Sequence, residues 1–576
     1  MSTTKYPPAE IEALIPTEQT PLLAPPEHGD TSVNVTSNDL PGSSGSTGSD
    51  DDDHNQESKT LSRARIAACA SGIGCMVLLQ TINISLLTTT QSAIAEDLDA
   101  FGETTWFTSS YLITSAALSP LAGKLLNILS PRICLPIAAV IAAVGTGVTS
   151  LAPTFAAFIV GRVVTGIGSA GIVTGAVVVV LELSGAKHKG LGVGLLNSCF
   201  TVGVAVGAVL AGALLEALGW RSLFWLQSPL LLSSGLITWL AIPADFFSKN
   251  AGNQSQSSRG KTLAEIDYLG ALSLTSSIVL VLYSLSSPGR IPLLPLLLSP
   301  IAAAAFVLNE LYLAKDPIIP ISLLRSRGLM TTCLATVGYM MSRWAVLFYT
   351  PAYALVSRDW TPALAGTILI PTNAGFALGG LLAGWLHIRR RGSYYTPTLI
   401  CYMVFPATVL ALALLANRAT PIAAILAILF ICGLATGAAL NYSLAHLLHI
   451  IPPETAYIAT ALLTTFRSFA GSFGSAIGGG VFVRALDGAL RRGFAEQGDG
   501  EREELVRRLS GSPALVGSLK GATHEIAVLG YEQAFRTLWL AAAGLAVVMV
   551  FVQANAGWTG YAERRRDTVA ETEHVD

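Results

Sequence analysis

Long blocks of apolar residues, separated by short polar loops, run from Ile66 almost to the end of this chain. A helix that crosses a bilayer needs about 20 mainly apolar residues, and that ruler predicts about 14 such helices here. The first six fall roughly at 66–94, 104–126, 133–152, 155–181, 190–216 and 222–242. A polar loop from Pro243 to Ile266 follows. Eight more lie roughly at 268–286, 291–313, 329–356, 363–388, 395–416, 421–447, 457–485 and 535–556. The seventh and eighth are the least regular, because Pro288, Pro292 and Pro295 crowd their junction.

Lys and Arg in the short loops give the spans a direction. One side collects Arg63, Arg65, Lys124, Arg132, Lys187, Lys189, Arg259, Lys261, Arg325, Arg327, Arg389 to Arg391 and Arg564 to Arg566. The other holds little beyond Arg221, Arg290, Arg358 and Arg418. Cytosolic loops carry the excess of Lys and Arg, so both termini are expected in the cytosol. An even span count agrees. The charged segment 486–532 then reads as a long loop on the far side.

Composition supports a bilayer as the solvent. The chain of 576 residues is 52% hydrophobic and only 12% charged, against roughly 25% charged in soluble domains. The net charge of −2 gives no reason to expect nucleic acid as a partner. The seven cysteines are scattered through apolar segments without metal-ligand spacing, so neither a disulfide framework, a metal nor a cofactor is expected. The first sixty or so residues differ in kind. They are rich in Ser, Thr, Pro, Gly and Asp, end in the run Asp50 to Asp53, and read as a disordered tail. No cleavable signal peptide is expected, since the first apolar block begins only near Ile66.

An even number of spans around a central polar loop suits a carrier built from two repeated halves, with substrate held near the midplane between them. The expected organisation is a tail over 1–62, a six-helix half over 63–243, and a loop with two linker spans over 244–313. A second six-helix half over 314–556 contains the far-side loop 486–532, and a cytosolic tail occupies 557–576. The fifth span places Gly203, Gly207 and Gly212 near one face, where small residues let helices approach and slide. Static packing explains the same pattern.

Several segments together resemble the major facilitator superfamily, and more narrowly its fourteen-span drug:proton antiporter family. The loop GKLLNILSPR matches the superfamily's loop motif at Gly123, Leu125 and Arg132, with Asn127 where Asp is usual and Pro131 where a basic residue is usual. In the family this loop forms a charge-relay latch; a neutral Asn127 keeps a hydrogen bond and loses the ion pair. GRVVTGIGSAG resembles the family's Arg-bearing motif at Arg162, Gly166, Gly168 and Gly171. The fifth span resembles the antiporter glycine motif at Gly203, Gly207 and Gly212, with Ala208 in place of its proline. GWRSLFWLQSPL at 219–230, EIDYLGA at 265–271, DPIIPISLL at 316–324 and the stretch around Arg467 look like the same family. TTWFTSSYL and KGLGVGLLN are similar to local patterns of fungal vacuolar basic amino-acid transporters. The fold that the resemblance implies is an all-α polytopic membrane protein, a major facilitator fold of two six-helix halves plus two central spans.

The first span departs from the family. Gln80, Thr81 and Ile82 stand where members commonly have an Asp followed by Thr-Ile, and Gln cannot titrate. Gln80 and Asn83 are candidates to hydrogen-bond substrate or, equally, to bridge helices. Arg162 costs roughly 2.5–3.5 kcal/mol inside a span and is a functional candidate, snorkelling being the bland alternative. Glu182, at the end of the fourth span, is the best remaining proton or cation acceptor, or simply a solvated helix end. Glu310 is a weaker candidate of the same type. In the second half Arg343, Asn373, Asn441 and Arg467 are candidates for substrate contact or packing. His446 and His449 lie one turn apart without a third ligand, so they read as interfacial and not as a metal site.

The tail carries Glu18, Leu22 and Leu23 in EQTPLL, which resembles an acidic dileucine signal read by sorting adaptor complexes on the way to a vacuole. The leading expectation is a non-enzymatic carrier of small organic solutes, basic amino acids first among them, in the vacuolar membrane, with protons as a possible second partner. Plasma-membrane efflux of drugs, toxins or a secondary metabolite is the alternative, and a solute sensor without flux is a third. The scarcity of acidic residues in the spans counts against cationic substrates.

Overall fold

The computed structural model describes residues 62–183, 185–243, 267–287, 291–314, 326–384, 394–452, 456–496 and 503–558. Within them the regular structure is helical. A chain that lies in lipid must satisfy its backbone groups internally, and helices do so within each segment. The first half comprises α1 (Arg63–Asp97), α2 (Thr105–Leu129), α3 (Pro131–Leu151), α4 (Phe155–Leu183), α5 (Gly185–Trp225) and α6 (Gln227–Ala241). Two helices follow, α7 (Tyr268–Ser286) and α8 (Leu293–Tyr312). The second half comprises α9 (Arg327–Ser357), α10 (Pro362–Thr367), α11 (Leu369–Leu382), α12 (Tyr395–Leu415), α13 (Ile422–Ile450), α14 (Ala456–Glu496), α15 (Glu503–Gly511) and α16 (Ala522–Ala554).

Local chemistry sets the ends. Asp267 caps α7 by accepting from the Gly270 amide at 2.8 Å, and Thr361 caps α10 ahead of Pro362 at its first turn. The loop motif after α2 is a tight turn: Ser130 takes a positive φ of 69°, and Pro131 opens α3. At Gly219, φ 69° and ψ 163° break α5, so its last residues lead into α6. Only glycine enters that region without strain, and the fifth and sixth predicted spans meet at this break.

Among the described residues, eleven helices are long and apolar enough to cross a membrane. α2 and α9, at 25 and 31 residues, pack among them but carry more polar side chains, such as Ser109, Ser110 and Thr114 on α2. Large apolar residues face outward on the linker helix α8, where Leu293, Leu294, Leu297 and Ile301 are all exposed. Without a lipid shell they would be an anomaly; within one they are the expected surface.

One expectation changes. The segment 486–532, read as a long loop, is mostly helical among its described residues. α14 runs on to Glu496, α15 and a 3₁₀ turn (Pro513–Ser518) follow, and α16 begins at Ala522, ahead of the expected start near residue 535. A hydropathy ruler misses such helices because they are amphipathic. Asp487 and Arg491 pair at 2.9 Å, one turn apart on α14, while Val506, Leu509, Val528 and Tyr531 turn inward.

Each half has its own core. In the first, α3 packs on α4 and α6, α1 on α5 and α6, and α2 on α4. In the second, α9 packs on α14 and α16, α11 on α13, and α12 on α13 and α16. The halves meet where α2 faces α14, α5 faces α10 and α11, and α1 faces α9. The linker helix α7 lies against both α2 and α14.

Candidate functional site

The seam between the halves is the place to look for a solute path. At its middle, Trp344 of α9 stacks on Phe348 with centroids 5.3 Å apart and meets Phe200 of α5 edge-on at 6.1 Å. Ile84 of α1 and Tyr111 and Leu112 of α2 close on the same two rings. The Ser472 hydroxyl on α14 donates to the Leu112 carbonyl at 2.5 Å, so α2 and α14 touch at backbone level. Toward the Asp97 end the seam holds a cavity of about 60 Å³, lined by Thr104, Thr105 and Thr108 from one half and Tyr349, Ser475 and Phe482 from the other. A second cavity of about 290 Å³ lies beside it, between Ser92, Glu96 and Phe101 on one side and Leu355, Pro362 and Arg508 on the other.

The stretch from α15 through the 3₁₀ turn roofs both cavities. Arg507 of α15 pairs with Asp99 at 2.9 Å, and Arg508 lies over the Phe101 ring at 5.4 Å. The Ala514 amide reaches the Ser92 hydroxyl at 3.4 Å. The Tyr531 hydroxyl on α16 holds the roof from behind by donating to the Leu509 carbonyl at 2.5 Å. Arg507 also holds the Glu504 carboxyl below the usual carboxylate range through a hydrogen bond of 2.9 Å.

In the first half, Gln80, Asn83 and Arg162 come together. Arg162 is fully buried, so it does not snorkel. Its Nε donates to the Phe107 carbonyl at 2.9 Å and its Nη1 to Asn83 Oδ1. Its guanidinium lies over the rings of Tyr111 at 4.7 Å and Phe224 at 5.8 Å. Asn83 in turn donates to Gln227 Oε1 at 2.9 Å, and Gln227 donates to the Leu223 carbonyl at 2.9 Å. The Tyr111 hydroxyl donates to Gln80 Oε1 at 2.6 Å and shares a hydrogen bond of 2.7 Å with Ser169. Five helices are tied by neutral partners around one cation. Only Nη2 of Arg162 lacks an acceptor.

In the second half, Arg343 and Asn373 come together with weaker ties. The Arg343 Nη2 reaches Asn373 Oδ1 at 3.5 Å, and the guanidinium lies over Phe376 at 4.7 Å. Nη1 of Arg343 and Nδ2 of Asn373 are buried without acceptors. Arg467 of α14 lies near enough for the charges of Arg343 and Arg467 to act on each other. Asn441 stands apart, donating to the Gly380 and Gly437 carbonyls at 3.1 and 3.2 Å and so tying α13 to α11.

The motif residues serve close packing. A Cβ on Gly203 would strike Thr81 Oγ1, and one on Gly207 would strike Ser85 Oγ and lie 2.7 Å from Ile82 Cα, so α5 rests directly on α1. Gly212 is buried farther along α5. Gly123 is less constrained, with Thr174 Cγ2 at 3.7 Å as its nearest contact. Arg132 faces the Trp239 ring at 5.8 Å. The side chains of Asn127 and Glu182 lie outside the described residues, as do Glu18, Leu22 and Leu23. Glu310 is buried on α8. The His446 Nε2 hydrogen-bonds the Gly557 carbonyl at 2.9 Å, and no cluster able to hold a metal ion occurs among the described residues.

Sequence reasoning missed Tyr111, Ser169, Gln227, Trp344 and Phe376. Tyr111, Ser169 and Gln227 stand within stretches that resemble the family, but nothing in the sequence says that they gather around Arg162 and Asn83. Only the helix crossings do.

Comparison with known proteins agrees with this architecture. The acurin A biosynthesis cluster MFS-type transporter of Aspergillus aculeatus is 25% identical over 421 residues, covering 71% of this chain and 74% of that protein. Vacuolar basic amino acid transporter 1 of Saccharomyces cerevisiae is 28% identical over 312 residues, covering 54% of each. The crystal structure of a bacterial homolog to the human lysosomal transporter Spinster, inward-facing and occupied, shares the fold at a TM-score of 0.57 and 14% identity, over 86% of this chain and 97% of that one. The family model of the Major Facilitator Superfamily matches residues 73–475. With two helical halves facing each other across a seam, this chain belongs to the major facilitator superfamily, a family of membrane transporters.

Proposed function

We propose that the chain is a secondary carrier exporting a small organic solute such as a drug, toxin or secondary metabolite, its two halves rocking about the seam at Trp344. The observation that carries this reading is the charge of the buried polar groups. Arg162 and Arg343 are both buried, and neither has a carboxylate partner among the described residues. A basic solute approaching either guanidinium would meet like charge in a medium of low dielectric, which opposes binding. The similarity to a transporter from a biosynthesis cluster points the same way.

Vacuolar transport of basic amino acids is the second reading. Its support is the similarity to the vacuolar basic amino acid transporter over half the chain, together with the Glu18, Leu22 and Leu23 signal. Both readings use the same fold with cytosolic termini. Proton coupling, where present, runs through a group other than Gln80, which cannot titrate.

The test is uptake of labelled arginine, lysine and histidine by isolated vacuoles, with and without ATP, beside the drug sensitivity of cells lacking the protein. We expect no ATP-dependent uptake attributable to the protein, and sensitivity on deletion. Robust arginine uptake that is lost on deletion would overturn the export reading in favour of the second.

A further inference from the structure

We propose that Arg343 and Asn373, where α9 meets α11, form a binding site for a carboxylate or equivalent organic oxyanion, so that the transported solute carries an acid group on an apolar or aromatic body. This inference rests on the carrier reading and names its substrate class.

The site is incomplete as it stands. Arg343 is 5% exposed, as is Asn373. The one hydrogen bond between them, at 3.5 Å, is at the edge of what counts as one. Arg343 keeps an unpartnered Nη1–H, Asn373 an unpartnered amide N–H, and the neighbouring Thr372 an unpartnered hydroxyl. An unpaired ion inside a protein is costly even after relaxation. The Phe376 face returns only part of that cost by cation–π attraction. Arginine does not escape by losing its proton. An anion resolves the deficit, and the planar fork of Arg matches the two oxygens of a carboxylate, with the Asn amide as a further donor.

The surroundings favour an organic acid over a small inorganic ion. Phe376 lies under the guanidinium, and Tyr339 beside it stacks with Tyr402 at 4.5 Å and Phe405 at 4.3 Å, giving the site an aromatic wall. Arg162 shows what a satisfied buried arginine looks like in this protein. It has two hydrogen bonds and two rings, where Arg343 has one marginal bond and one ring. The influence of Arg467 adds positive potential on the α14 side.

The test uses purified full-length protein in detergent and three probes of similar size on one phenyl body: benzoate, benzamide and benzylamine. Benzoate should raise the melting temperature in a dose-dependent way, while benzamide and benzylamine should not. Asn373→Asp places a carboxylate beside Arg343; this variant should melt no lower than wild type and bind benzoate about tenfold or more weakly, a loss of about 1.4 kcal/mol. Arg343→Gln should lose the benzoate shift, and Arg343→Lys should keep a reduced one, since Lys offers a point charge in place of a fork. Equal shifts from benzoate and benzamide, or an undiminished benzoate shift in Asn373→Asp, would overturn the site. A benzoate shift of this kind in a protein that supports no solute flux upholds the site while removing the carrier reading, so the two failures are separable.

Discussion

Each half of the protein buries an arginine where three helices meet, α1, α2 and α4 in the first and α9, α11 and α13 in the second, yet the two are held in different ways. Arg162 comes from α4 and reaches Asn83 on α1 and the Phe107 carbonyl on α2. Arg343 comes from α9, the first helix of its half, and reaches Asn373 on α11 while lying near Cys432 on α13. It sits roughly four turns before the end of its helix, the level that Asn83 occupies on α1. One half therefore places an acceptor where the other places the cation. In the first half, neutral partners from several helices close around the charge. In the second, three buried polar groups around the charge are left without partners. The contrast teaches that burial alone does not mark an arginine as structural or functional; the count of satisfied N–H groups separates the two.

The contrast has consequences that mutation can break. The largest concerns how α11 and α13 are brought together around Asn373. A Cβ on Gly433 would strike the Thr372 carbonyl oxygen and lie 3.0 Å from the Phe376 amide, both on the helix that carries Asn373. Gly433→Val should cost at least ~3 kcal/mol by overpacking against rigid backbone, and should remove the monodisperse peak in size-exclusion chromatography. Gly123→Ala, with its nearest contact at 3.7 Å, should stay within ~0.5 kcal/mol of wild type. If both variants behave alike, close backbone approach is not what positions the second-half site.

The smallest effect belongs to the roof over the Asp97 end. Arg507→Ala removes contacts to Asp99 and Glu504, all well exposed. Exposed pairs are individually weak, so labelling of Ser92→Cys by a membrane-impermeant maleimide should rise by about fivefold or less. Glu504, whose pKa is lowered by Arg507, contributes stability that is present above its unfolded value of about 4.3 and lost as pH falls through the lowered one. Acidification into that range should raise the labelling of Ser92→Cys relative to that of an exposed cysteine at the same pH, since both lose thiolate alike, and should do so less in Arg507→Ala. A labelling rate unchanged by either treatment would mean that the roof does not shield the cavity.

Much of the fold was legible because the bilayer imposes one ruler on every span. The linker helices α7 and α8 fell within about two residues of their expected ends, even at the proline-crowded junction. The ruler failed where helices leave the apolar layer, as in α15 and the first turns of α16, since amphipathic helices carry too little mean hydropathy. The candidate site was half legible. Arg162, Asn83, Arg343 and Asn373 stood out as polar groups in apolar blocks, and the structure pairs them two by two. Their grouping was not legible, because it depends on which helices cross. Asn441 shows the same limit from the other side: the residue type that binds solutes here ties α13 to α11.

The most direct test of the contrast between the halves is the melting temperature of the solute-free protein carrying Arg162→Gln or Arg343→Gln, measured side by side in one detergent. Arg162→Gln strands Asn83 Oδ1, worth about 1–3 kcal/mol when left unpaired, and gives up the bond to the Phe107 carbonyl and the contacts with the Tyr111 and Phe224 rings, so it should melt several degrees below wild type. Arg343→Gln removes a buried charge that lacks a counterion, so it should melt at or above wild type. Equal losses in the two variants, or a larger loss for Arg343→Gln, would contradict the account.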